Sequence, residues 1–323
     1  MKTAFVTGGS GFVGRNLIPL LLEKGYVVKA LARSEKSAGQ IRQLGAISVQ
    51  GDLQDLQALQ TGMTGCTVVF HLAASINMWA SEQELWADHV TGTENVLQAA
   101  KQAQVNRCIY LSTAMVVLNG KPIVDADERL QSDNLVDGYS RTKLAAEQRF
   151  LQANSETMQT VVIRPPIIWG KGDTSTLPQF VEAAQKGQLM FIGGGNHLFV
   201  TSHIRNLCHA LLLAGESTVG GEVFFVTDGE KLQFKRFVKD YLATQGITVP
   251  DRSVPLPIAK GTAELLAWFW RTFKRPGAPP FYPSMIHTVG LPYTLSDAKI
   301  RRQLGFQNVV TVEEGLREMS EYR

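Results

Sequence analysis

The chain has 323 residues, 44% of them hydrophobic and 19% charged, enough for one large α/β unit or two closely joined domains. Its 32 basic and 29 acidic side chains leave a net charge of +3, and no long run of Lys or Arg points to nucleic acid as a partner. The three cysteines, with no CxxC spacing, read as reduced structural thiols of a cytoplasmic protein, not a disulfide framework.

The N-terminus runs straight into a glycine-rich turn, which predicts that no secretory signal is present. No apolar run approaches the roughly 20 residues that cross a bilayer. Candidate strands at 3–7, 26–32, 46–50, 67–72, 107–112 and 160–164 alternate with helical patterns such as 12–24, 84–104 and 139–153. That alternation predicts right-handed crossovers and a parallel sheet. Apolar strands imply helices on both faces. Pro19 falls inside the first helical pattern, where its missing N–H predicts a kink.

After Trp169 the regularity ends. Gly193-Gly194-Gly195-Asn196 reads as a hairpin or loop, and 223–227 as a strand returning to the main sheet. The reading is an α/β Rossmann fold, a doubly wound parallel sheet with a smaller C-terminal α/β substrate domain. Residues 1–168, with a returning segment at about 205–228, form the dinucleotide domain. Residues 169–204 and 229–323 form the substrate domain.

Thr7-Gly8-Gly9-Ser10-Gly11-Phe12-Val13-Gly14 follows the first strand and opens a helix. Its glycines permit a tight turn and close approach of backbone to a pyrophosphate, and the helix N-terminus offers free N–H donors. The second strand ends Ala30-Leu31-Ala32-Arg33-Ser34, without the acid that holds the ribose hydroxyls of NAD. Arg33 can fork onto a 2′-phosphate, with Lys36 nearby, so NADP is expected and NAD is the alternative.

Tyr139-Ser140-Arg141-Thr142-Lys143 places a phenol and an ammonium on one helix face at i and i+4. A neighbouring ammonium favours phenolate, which suits Tyr139 to acid and base work at a carbonyl. Twenty-six residues upstream lies a hydroxyl-bearing strand end, Leu111-Ser112-Thr113.

These residues together resemble an extended short-chain dehydrogenase/reductase of the epimerase/dehydratase superfamily. Within it, the chain is most similar to the dihydroflavonol reductase and 3β-hydroxysteroid dehydrogenase branch. The resemblance covers essentially the whole chain and is strongest from Lys2 to about Gly170. It includes Asp88-His89-Val90-Thr91-Gly92-Thr93, Tyr293-Thr294-Leu295-Ser296-Asp297-Ala298-Lys299 and Val312-Glu313-Glu314-Gly315-Leu316. It implies a catalytic set of Thr113, Tyr139 and Lys143. It also implies a cofactor held by Gly8, Ser10, Gly11, Phe12, Val13, Gly14, Arg33, Asp52, Leu53, Leu72, Ala73, Ala74, Tyr139, Lys143, Pro165 and Ile168. The chain departs from the pattern at Thr113, where serine is commoner, at His89, where asparagine is frequent, and at Trp169, where tyrosine is.

The expected reaction is NADPH-dependent reduction of a hydrophobic ketone, reversible to alcohol oxidation. Ser75, Trp79, Met115 and Trp169 are the candidate substrate-pocket residues. A nucleotide-sugar epimerase or dehydratase is one alternative, and a non-catalytic NADP-binding regulator another. A homodimer is implied by the resemblance alone. No metal site is expected, since HExxH is absent and His197, His203 and His209 lie six apart. The segment Leu265-Leu266-Ala267-Trp268-Phe269-Trp270, followed by Arg271, Lys274 and Arg275, reads as a substrate lid, a buried helix or a patch for peripheral membrane contact.

Overall fold

The structure, a computed structural model, describes residues 2–275 and 277–321; Pro276, in the Pro- and aromatic-rich stretch, lies outside them. The first half alternates as its apolar periodicity requires: β1 (Thr3–Thr7), α1 (Phe12–Glu23), β2 (Val27–Ala32), α2 (Glu35–Gln43), β3 (Ile47–Gln50), α3 (Leu56–Met63) and β4 (Val68–His71). The helix α1 runs unbroken past Pro19. Next come α4 (Glu82–Trp86), a π turn (Ala87–Thr91), α5 (Gly92–Gln102), β5 (Arg107–Leu111), β6 (Ile123–Ala126), α6 (Gly138–Gln152) and β7 (Gln159–Arg164). The stretch 84–104, expected as one helix, is therefore two, with a π turn between them.

The remainder carries β8 (Ile167–Trp169), α7 (Leu177–Gln185), β9 (Phe191–Ile192), β10 (Leu198–Phe199), β11 (Thr201–His203), α8 (Ile204–Glu216), β12 (Glu222–Phe225) and β13 (Leu232–Gln233). It ends with α9 (Phe234–Ala243), β14 (Ser253–Val254), α10 (Leu256–Thr272), α11 (Pro283–Val289), β15 (Tyr293–Leu295), α12 (Ala298–Leu304) and α13 (Val312–Ser320).

Seven parallel strands form the main sheet in the order β12-β7-β5-β4-β1-β2-β3. Strand order reverses between β1 and β4, and such a switch point opens a crevice at the carboxyl ends of the strands. There Thr7 pairs in register with His71, and His71 with Tyr110. Helices cover both faces: α1 and α8 pack a core with Phe70, Ile109 and Phe224 on one, while α3, α5 and α6 residues meet Phe5, Val69 and Val162 on the other.

A four-stranded sheet, β13-β10-β15-β6, builds the smaller layer. Strand β6 lies inside residues 1–168 yet pairs with β15, 170 residues later at Ile123 and Tyr293. In the opposite sense, Ile300 and Phe306 from the C-terminal part join the main core. The two layers exchange segments, a result of pairing between distant residues that local patterns do not encode. Cys66, Cys108 and Cys208 are free and buried, and burial pushes the Cys108 thiol up to about 12.

Candidate active site

The β1–α1 turn is shaped by close backbone approach. Gly8 has φ +71°, and a Cβ there would stand 2.8 Å from the Ala73 nitrogen. At Gly14 a Cβ would lie 2.3 Å from the Gly8 carbonyl oxygen. Gly11 caps α1 without any side-chain hydrogen bond, and the first turn carries no acid. The N–H groups there are thus left to an anion, as a helix N-terminus favours. Ser10 and Val13 are half-buried beside Phe12, which is buried.

Thr7 fastens this turn to the exit of β4. Its Oγ1 accepts from the Leu72 and Ala73 N–H groups at 3.2 and 3.1 Å, so its own proton goes to His71 Nδ1 at 2.8 Å. His71 Nε2–H then donates to Thr93 Oγ1 at 3.0 Å. Burial, with Lys143 nearby, lowers this imidazole to about 3, and it stays neutral. Ala74 and Ser75 continue the same half-buried segment.

At the end of β2, Arg33 is exposed and Ser34 caps α2. Glu35, two residues on, is paired with Arg42. After β3, Asp52 is exposed and accepts from Gln54 N–H at 2.8 Å, while Leu53 packs on Gly92, where a Cβ would meet it at 2.9 Å.

On α6, Tyr139, Lys143 and Glu147 fall at successive i+4 positions along one face. Asp137 caps the helix, accepting from Ser140 N–H at 2.6 Å. Lys143 is buried; its Nζ donates to the Leu111 carbonyl at 2.8 Å and lies 4.2 Å from the Tyr110 ring centroid. Burial drives Lys143 down to about 7, with Glu147 acting in the opposite sense. Glu147 accepts both Nε and Nη2 of Arg164 in a buried bidentate pair.

The ammonium of Lys143 is directed to the Leu111 carbonyl in this arrangement. Burial first, then the Asp137 carboxylate, raises the Tyr139 hydroxyl above its usual range. Lys143 is turned to a backbone carbonyl and brings it no compensating charge. Both effects favour the protonated phenol over the phenolate.

Thr113 is buried at the start of a short 3-10 turn (Ala114–Val117), and its Oγ1 accepts from Met115 N–H at 3.2 Å. Its hydroxyl proton remains to be given. Ser112 N–H donates to the Ile163 carbonyl and Ala114 N–H to that of Pro165, tying this strand exit to β7 and the buried Pro165. Met115 and Ile168 are half-buried, and α6 packs against the turn.

His89 is a site feature whose role the residue pattern did not assign. The π turn carries it inward: Nε2–H donates to the Ser75 carbonyl and Nδ1 accepts from Thr142 Oγ1, both at 2.9 Å. Such a turn inserts an extra residue and commonly marks functional positions. Burial, then the Lys143 charge, lowers His89 to about 4. The only legible signal was its departure from asparagine.

Trp169 requires a correction. It has no exposed surface, and its Nε1–H donates to Asp228 Oδ2 at 2.8 Å. Ring contacts with His203, Phe237 and Tyr241 fill its surroundings, so it lies in the core and not on a pocket wall. An aromatic residue after a strand carries no mark telling lining from packing. Trp79 is half-buried, under Arg271 and beside Tyr282.

A switch-point crevice, a glycine turn and a Tyr/Lys helix face define an extended short-chain dehydrogenase/reductase, an enzyme acting on hydroxyl and keto groups. A sequence profile of the 3-beta hydroxysteroid dehydrogenase/isomerase family matches residues 5–258, and the chain belongs to that family. It is 40% identical to 4-hydroxy-2-methyl-3-oxo-4-farnesyl-3,4-dihydroquinoline-1-oxide ketoreductase of Stigmatella aurantiaca, over 98% of this chain and 95% of that protein. It is 32% identical to sterol-4-alpha-carboxylate 3-dehydrogenase, decarboxylating, of Dictyostelium discoideum, over 99% and 100% of the two chains. The fold superposes on the crystal structure of gox2253 with a TM-score of 0.80, covering 100% and 99% of the chains at 22% identity.

Proposed function

We propose that this protein reduces the carbonyl of a hydrophobic ketone with NADPH, and oxidises the secondary alcohol in reverse. The observation that carries the reading is the pairing, on one face of α6, of Tyr139 with a buried Lys143 whose ammonium is held at the β5 exit. The named substrates of the ketoreductase and sterol dehydrogenase relatives, one farnesylated and one a sterol, support the apolar class.

The glycine cradle, which leaves no room for a Cβ at Gly8 or Gly14, suits a dinucleotide pyrophosphate. Phe12, Val13 and Gly14 would present backbone donors, Arg33 the fork for a 2′-phosphate, and Asp52 with Leu53 the adenine contacts. Lys143, Ala73, Ala74, Pro165 and Ile168 would hold the nicotinamide ribose side. When bound, the cofactor supplies a hydride to the carbonyl carbon. Tyr139 gives its hydroxyl proton to the carbonyl oxygen, and Thr113 donates a hydrogen bond to the same oxygen. Ser75, Trp79 and Met115 flank this space.

The test is NADPH oxidation with a panel of steroid, dihydroflavonol and β-keto compounds, run beside Tyr139→Phe. Turnover that falls by about 10²–10⁴ in the variant, with NADPH binding intact, supports the assignment. Undiminished turnover in Tyr139→Phe overturns it. So does silence on ketones accompanied by turnover of a sugar nucleotide with tightly held NAD.

A further inference from the structure

Lys143 is buried, and an ammonium taken out of water must be met by groups that favour its charge. The Leu111 carbonyl takes one of its protons at 2.8 Å. Its second neighbour is the ring of Tyr110, whose centroid lies 4.2 Å from Nζ. A cation set within about 6 Å over an aromatic face is attracted by the negative face of the ring, most strongly where water is excluded. Tyr110 is itself buried, and it stacks on His71 at 5.3 Å and on Phe150 at 5.2 Å, which fixes the plane of its ring. Lys143 and Phe150, seven residues apart, share the face of α6 that meets the end of β5. The Tyr110 hydroxyl is buried without a hydrogen-bond partner among the described residues, so the ring is what this position uses.

We propose that Tyr110 is a positioning residue, the face of its ring holding the Lys143 ammonium charged and in place one helical turn from Tyr139. Glu147 assists from the next turn of α6. Both of its oxygens are engaged by Arg164, so its carboxylate is fixed and acts on Lys143 through space. Burial draws Lys143 toward the neutral amine, and it stands at about 7 with Glu147 opposing that draw.

The other titratable groups around Lys143 leave its charge to Tyr110 and Glu147. His71 on β4 and His89 on the π turn are lowered to about 3 and about 4, and are neutral near pH 7. Tyr139, on the same helix, is raised above its usual range, and Arg164 on β7 is bound to Glu147. A consequence for turnover rests on the reductase reading; the charge state of Lys143 does not.

The test is the titration of Lys143 in the full chain, followed by NMR of lysine labelled at Cε and assigned by the signal missing from Lys143→Arg. Tyr110→Phe keeps the ring face and should leave the midpoint unmoved. Tyr110→Leu removes the face, and the midpoint should fall by about one pH unit, a roughly tenfold loss of proton affinity. Losing a group that favours the charged form lowers an amine, so the decline of kcat with rising pH should also begin about one unit earlier in Tyr110→Leu. Phenylalanine carrying successively more ring fluorines at position 110 weakens the face with little change of shape. It should lower the midpoint stepwise, and it serves even where Tyr110→Leu fails to fold. Phe150→Leu removes a ring stacked on Tyr110 but leaves the Tyr110 face, and should cost stability without moving the midpoint. A midpoint unmoved by the fluorine series, or moved as far by Phe150→Leu as by Tyr110→Leu, overturns the proposal. Absence of ketone turnover in the native protein overturns the reductase reading instead, and the Lys143 midpoint still decides the role of Tyr110.

Discussion

Tyr139 meets His89 edge to face, with ring centroids 5.4 Å apart and planes at 86°. His89 is itself held at both nitrogens, by Ser75 and Thr142, so it forms a fixed wall for the phenol. His89→Ala should lower kcat by about tenfold through loss of orientation, with KM for NADPH unchanged. His89→Asn, which can still donate to the Ser75 carbonyl, should recover most of that loss. Equal kcat in native and Ala forms would exclude this positioning role.

Acid sensitivity follows from the same histidines. Folding lowers His71 to about 3 and His89 to about 4, against an ordinary value of 6.5. Between those limits the unfolded chain binds more protons, so stability rises with pH and levels off above about 6.5. Urea unfolding midpoints measured from pH 4 to 8 should show this slope, and His89→Asn should reduce it. A slope identical in the two proteins would place the acid lability elsewhere.

Arg33 stands exposed where β2 ends, with Glu35 already engaged by Arg42. Arg33→Ala should weaken NADPH binding by roughly 1.5–3 kcal/mol, the range for hydrogen bonds to charged groups, and leave NADH binding unaltered. Fluorescence titration of both cofactors measures the difference. An equal change for the two would remove Arg33 from cofactor choice.

Asp228 gathers four donors: the Trp169 indole, Thr201 Oγ1, the His203 N–H and the Asn206 amide. Trp169→Phe removes one of them without opening a solvent-facing pocket. It should cost about 1–3 kcal/mol of folding stability and leave KM for any ketone unchanged. A specific rise in KM without loss of stability would return Trp169 to the substrate wall.

Much of the sheet and of the α6 pair was legible in the sequence because their signals are local. Alternating apolar runs specify strands and helices, and an i, i+4 spacing places Tyr139 and Lys143 on one face whatever surrounds them. The glycine turn is equally local: Gly8 and Gly14 are required by contacts within and beside the turn itself. The π turn was not legible, since one inserted residue leaves the helical pattern of 84–104 nearly intact.

The sequence by itself determined the alternation of strands and helices that builds a parallel sheet, and the i, i+4 spacing that sets Tyr139 and Lys143 on one face of α6. Tertiary structure alone decided their states and surroundings. It brought β6 to β15 and buried Trp169 against Asp228. It also turned Lys143 to the Leu111 carbonyl and set Tyr139 where burial and Asp137 disfavour the phenolate. The physical reason is common to all three: pairing, burial and the local electric field depend on residues far apart in the chain, and no periodicity or short motif records them.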